Sequence, residues 1–158
     1  MASLSPIDCE TLLAGLHCEI ISTAEVIAWA DERVKSAAQP SEALIELSLA
    51  PSNDAYEVGK RLRAVCGEWS PLTDSGIARL LGIIARIGIS GNWPHAVNLI
   101  YNLLGWPDLS ENEAIKVARE IDSYFDMAAW GEGEVTTAGT EERWRKLATA
   151  AERLFQCE

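Results

Sequence analysis

The chain has 158 residues, 48% hydrophobic and 23% charged, which is ordinary globular usage and leaves little room for disorder. Its formal charge of −11 and pI near 4.6 exclude a phosphate-tracking role and an anionic membrane surface as partner, since both need surplus Lys and Arg. A chain of this length is expected to form one domain, 1–158, with a proper core.

Helical periodicity runs through nearly the whole chain, and strand alternation is almost absent. "SPIDCETLLAGLH" opens with Ser5 as a cap and Pro6 at the first helical position. "STAEVIAWADERVKSAA" places Ser22 three residues before Glu25, a capping box. "PSEALIELSLA" is a short helix between Pro40 and Pro51, and "NDAYEVGKRLRAVCG" starts from Asn53 or Asp54 and stops at Gly67. "SPLTDSGIARLLGIIARIG" has Pro71 near its start and stops by Gly88 or Gly91, and "NWPHAVNLIYNLLG" has Pro94 early and Gly105 after its last turn. "SENEAIKVAREIDSYFDMAAW" carries a Ser110–Glu113 capping box and a stripe at 114, 117, 118, 121, 124, 125 and 128. "TEERWRKLATAAERLFQ" puts Trp144, Leu147, Ala148, Ala151, Leu154 and Phe155 on one face, and the preceding "GEGEVTTAG" reads as a mobile loop. The expected fold is all-α, a single-domain compact bundle of about eight helices.

Gly, Trp and Pro recur together at helix junctions, in "GEWSPLT", "GNWPHA" and "GWPDLS". Glycine in a left-handed turn ends a helix, the large apolar residue packs back onto it, and proline starts the next. Trp69, Trp93 and Trp106 are therefore expected in the core.

The compartment is read from what is missing. "MASLSPIDCETLLAGLHCEII" has no basic n-region, its apolar turn is not a lipoprotein cleavage site, and "IARLLGIIARIGI" is too short to span a bilayer. The expectation is a soluble, cytoplasmic protein without membrane contact. Cys9, Cys18, Cys66 and Cys157 form no C-x-x-C pair, so they are expected to be buried or incidental thiols rather than zinc ligands or disulfides.

Candidate chemistry is thin. His17 and His95 have neither a metal-ligand spacing nor a nucleophile signature beside them. Asp122 and Asp126, one turn apart, would suit a shared Mg²⁺, but Arg119 one turn earlier suits a solvated, salt-bridged face better. No phosphate loop, zinc-protease motif or nucleophile elbow occurs, so no cofactor is expected.

The charge is uneven. Residues 1–58 hold ten acids against Arg33 and Lys35, residues 59–106 are mildly basic at +3, and residues 107–158 return to −6. In "EVIAWADERV", Glu25, Trp29 and Glu32 project from one side of the helix at about 100° per residue. Carboxylates take arginine and indole faces take cations, so Glu25, Trp29, Asp31, Glu32, Glu42 and Glu46 are the candidate partner-binding residues. The alternative for Trp29 is burial against a neighbouring helix, and Asp54 is equally a helix cap.

The segment from "AEVIAWADERV" through "PSEALIELSLA", an acidic Trp-Ala-Asp helix, a proline, then "LIELSLA", resembles one in small uncharacterised all-helical bacterial proteins, some of which look like immunity proteins of polymorphic-toxin systems. The similarity covers about a fifth of the chain, and it implies a non-catalytic inhibitor of a secreted toxin. The resulting expectation is a protein-binding module that occludes the cationic groove of a basic toxin domain. Two rivals stay open: a helical-bundle enzyme with a carboxylate metal site at Asp122 and Asp126, and a scaffold docking a peptide at its Trp-lined junctions.

Overall fold

A computed structural model describes residues 7–129 and 136–157. These form eight α-helices and no strand, as the periodicity predicts. The helices fall into two compact units, Met1–Ser70 and Pro71–Glu158.

The first unit holds α1 (Cys9–His17), α2 (Thr23–Ser36), α3 (Glu42–Ser48) and α4 (Ala55–Cys66). Each begins at a polar cap whose oxygen takes an otherwise orphaned N–H: Asp8 from Thr11, Ser22 from Glu25, Ser41 from Leu44 and Asp54 from Glu57. α1 packs on α4 and α2, α2 on α3 and α4, and α3 on α4. The interior is small, built from Leu12, Ala14, Val26, Ala30, Leu47, Val58 and Leu62.

The second unit holds α5 (Asp74–Ile89), α6 (Trp93–Leu104), α7 (Glu113–Ala129) and α8 (Thr137–Gln156). α5 is its centre and packs on the other three. Ile77, Leu80, Leu81, Ile84, Leu99, Ile100, Leu103, Ile115, Ile121, Trp144 and Leu147 are sealed from solvent. Gly88 lets α5 lie directly on the Trp144 indole, where a Cβ would overlap the ring. Phe125 continues that contact outward, 6.2 Å from Trp144 and 5.1 Å from Trp93 in near-parallel stacks.

Several boundaries and burials depart from expectation. The proposed caps Ser5 and Pro6 lie outside the described residues, and the structure caps α1 at Asp8. α5 begins at Asp74 under the cap of Thr73, not at Pro71. The Ser110 hydroxyl bonds Asp74 at 2.6 Å, and the side chain of Asn112 accepts the Ile115 N–H instead, so the expected Ser110–Glu113 capping box does not form. Residues 131–135 of the segment expected to be a loop lie outside the described residues, and the remainder turns helical at Thr137. Trp69 and Trp93 are exposed by 46% and 39%, and Trp106 is half-buried, so none of the three is a core residue. A positive φ is present at Gly67 (φ 74°) and Gly91 (φ 101°) but not at Gly105 (φ −78°), and at Gly67 the ψ of −133° departs from the left-handed helical turn. Trp69 follows in the irregular run before Thr73, and Trp93 stacks on Phe125 while remaining partly exposed. Local turn chemistry set the chain direction there without setting burial.

The cysteine expectation is also corrected. Cys9 and Cys66 are disulfide-bonded, with Cα atoms 5.4 Å apart. Packing of α1 on α4 brings the first residue of one helix to the last residue of the other, a juxtaposition that sequence spacing does not reveal. Such bonds persist in oxidising surroundings, so the reducing-cytosol premise does not carry over to this pair. Cys18 is buried, which pushes its thiol from 9.0 up to about 11, and Cys157 is exposed. No helix among the described residues is long and apolar enough to cross a membrane.

Three outcomes follow. Breaking a cross-link between residues 57 apart restores chain entropy to the unfolded state, so Cys9→Ser with Cys66→Ser lowers stability in urea by about 2–4 kcal/mol. Unreduced native protein then offers a thiol reagent Cys157 alone, with Cys18 reacting only on unfolding. Gly88→Ala forces α5 away from Trp144 and costs about 1–3 kcal/mol, read from the same unfolding curves.

Candidate functional site

The six candidate residues lie on α2 and α3, but they do not act as one set. Glu25 is absorbed locally: its carboxylate accepts from the Ser22 N–H at 2.8 Å and the Ser22 hydroxyl at 2.7 Å, completing the predicted capping box. At about 100° per residue, Val26 and Ala30 point inward, Trp29 and Glu32 share one flank, and Asp31 stands on the opposite flank.

Trp29 is half-buried, between the two sequence alternatives. Its Nε1–H donates to the Ile7 carbonyl at 3.3 Å, which fixes the ring. The Arg33 guanidinium carbon lies over the indole, 4.9 Å from the centroid. Ring and guanidinium line an open groove of about 500 Å³ with Ile7, Ala28, Glu32 and Ser36.

α3 presents a different surface. Leu47 is fully buried, while Glu42, Ile45, Glu46 and Leu49 are exposed and fall on one side at helical spacing. Leu49 is 75% exposed, and Tyr56, at the start of α4, is 82% exposed. The carboxylates of Asp31, Glu32, Glu42 and Glu46 have no ion pair or hydrogen bond among the described residues. Arg61 and Arg63, from α4, are engaged elsewhere. Arg61 bonds Glu57 at 2.8 Å and the Glu46 backbone carbonyl at 2.7 Å. Arg63 reaches the buried Glu10 at 3.0 Å, where the Ser70 N–H also donates. Sequence reasoning missed Ile45 and Leu49. The signal was there in "ALIELSLA", which is too apolar around its circumference for so short a helix to bury on one side.

The other candidates stand apart from this surface. His17 and His95 are exposed. Burial foremost, then the charge of Asp126, holds the Asp122 carboxyl above its ordinary 3.8, against the opposing pull of Arg119. No group of three His, Cys, Asp or Glu among the described residues is placed to hold a metal ion. A second open groove, about 610 Å³, lies along α7 and α8 beside Lys116, Arg119, Tyr124, Met127 and Arg143. Two of its cations are engaged, Arg119 with Glu111 and Arg143 over the Tyr124 ring and against the Gly139 carbonyl.

Comparison with known protein families, with curated proteins and with solved structures gives no match.

The assignment of Glu25 to capping is testable by stability alone. Glu25→Ala and Ser22→Ala each destabilise by about 1 kcal/mol, while Glu25→Gln keeps most of the stability, because a glutamine at that position still closes the box. Equal urea midpoints for the Ala and Gln variants would contradict the assignment.

Proposed function

We propose that this chain is a non-catalytic protein-binding module whose α2–α3 hairpin docks a basic protein. The observation that carries this reading is the outer side of α3, where Glu42 and Glu46 stand without an internal cation beside the exposed Ile45 and Leu49. Exposed aliphatics beside unpaired carboxylates supply both parts of a docking surface: apolar area to bury and a field that selects cationic partners. Residues Met1–Ser70 hold eleven acids against five bases, a balance of −6, so the field around this surface is negative.

The partner we infer is a toxin domain with a cationic substrate groove, neutralised by occlusion. That step rests on the resemblance of the α2–α3 segment to immunity-type proteins, and the local charge supports it. A carboxylate metal enzyme at Asp122 and Asp126 has no third ligand beside it among the described residues, which favours the binding reading.

The test is binding to the protein encoded immediately upstream of this gene. Affinity should fall steeply with rising salt, because the encounter is electrostatic. Glu42→Lys with Glu46→Lys should slow association and flatten that salt dependence, and Leu49→Asp should cost about 2 kcal/mol or more. Absence of binding, or binding indifferent to salt and to all three substitutions, would contradict the proposal.

A further inference from the structure

Trp29 is a fixed aromatic platform, and what lies on it is an arginine of the same chain. The indole is anchored at its edge by the bond to Ile7, so its face cannot turn away from the groove without losing that bond. Arg33 covers the face at 4.9 Å. Carboxylates outnumber cations 24 to 13 in this chain. Even so, the Arg33 guanidinium has no carboxylate partner and donates no hydrogen bond among the described residues. Its five N–H donors are left to water. Glu32 lines the same groove and is equally without a cation.

Arginine is recognised most fully when its plane lies on a ring and its edge meets a carboxylate. The groove holds both parts, and Arg33 uses only the first. We propose that the groove at Trp29 is a recognition slot for an arginine side chain of the basic partner, with Arg33 covering the indole until that arginine displaces it. This rests on the reading of the partner as basic, and it names the side chain that the α2 surface selects. An incoming arginine gains the stacking that Arg33 gives up and adds a paired contact to Glu32. Lysine, a point charge without a planar fork, gains less from the same slot. Arg33 stands exposed on a flexible stem, so it moves out without disturbing Val26 or Ala30 on the buried side of α2.

The experiment uses the full chain and two capped short peptides, one carrying two arginines between glycines and the other two lysines. The readout is the Trp29 indole N–H resonance, assigned by its loss in Trp29→Phe. The arginine peptide should shift this resonance and the lysine peptide should bind several-fold more weakly. Arg33→Ala should tighten the arginine peptide by about two- to five-fold, the size expected for removing an exposed competing cation–π contact. Glu32→Gln should weaken it. In free Arg33→Ala the indole resonance should move, because the face is uncovered, yet stay a single sharp peak, which shows that the platform is intact. If Arg33→Ala weakens the peptide or leaves it unchanged, or if lysine and arginine act alike, the slot is overturned. The outcomes separate from those of the docking proposal: partner binding that needs α3 while the arginine peptide ignores Trp29 sinks the slot alone. An arginine-responsive Trp29 with no salt-sensitive partner sinks the docking reading alone.

Discussion

Eleven more carboxylates than cations is the constraint that this chain has to accommodate. Folding settles it by position. The cations nearest the first interior are directed to structural tasks: Arg63 to the buried Glu10, and Arg61 to Glu57 and the end of α3. An unpaired buried carboxylate is costly, so the Glu10 pairing is required once that side chain is inside. What remains are acids at the surface of α2 and α3 with no internal partner among the described residues. Under the proposed function, a cationic partner surface would complement them. The proposed function follows from that residue of the charge balance more than from any single side chain.

The two units stand on different physics. The second has a long apolar centre in α5, a close helix approach at Gly88 and a stacked run from Trp93 to Trp144, so its stability comes from packing. The first has a smaller interior and short helices, each held by a side-chain cap. Units of this size gain little from core burial alone and are commonly stapled. The Cys9–Cys66 bond supplies that, closing the first helix onto the fourth. A surface of unpaired acids and exposed aliphatics sits on the unit with the smaller interior, which the disulfide cross-links.

Sequence made the helices legible because period and caps agree at most of them. Ser22–Glu25, Asp54 and Gly67 appear where residue types predict. It was unreliable wherever a local motif had to stand in for a long-range contact. A Gly-Trp-Pro junction describes how the chain turns, and whether the indole is then covered depends on a distant element, as with Trp93 against Phe125. The disulfide is the same kind of case, since nothing within several residues of Cys9 or Cys66 points to the other. In the candidate site, Glu32, Glu42 and Glu46 were legible as acids on two neighbouring helices, while their exposure needed the fold. Glu25 reads from the sequence both as a cap and as a contact, and its geometry serves the cap. Ile45, Leu49 and the position of Arg33 over Trp29 needed the fold, because helical spacing brings residues to one side without saying which side stays uncovered.

The central claim is that partner contact belongs to α2 and α3. Hydrogen–deuterium exchange on the complex with the upstream-encoded protein tests it most directly, because it reads backbone protection along the whole chain without any substitution. The account predicts new protection in α2, α3 and the turn between them, with α5 and α8 unchanged. Protection confined to α5–α8, with α2 and α3 exchanging as in the free protein, would contradict it.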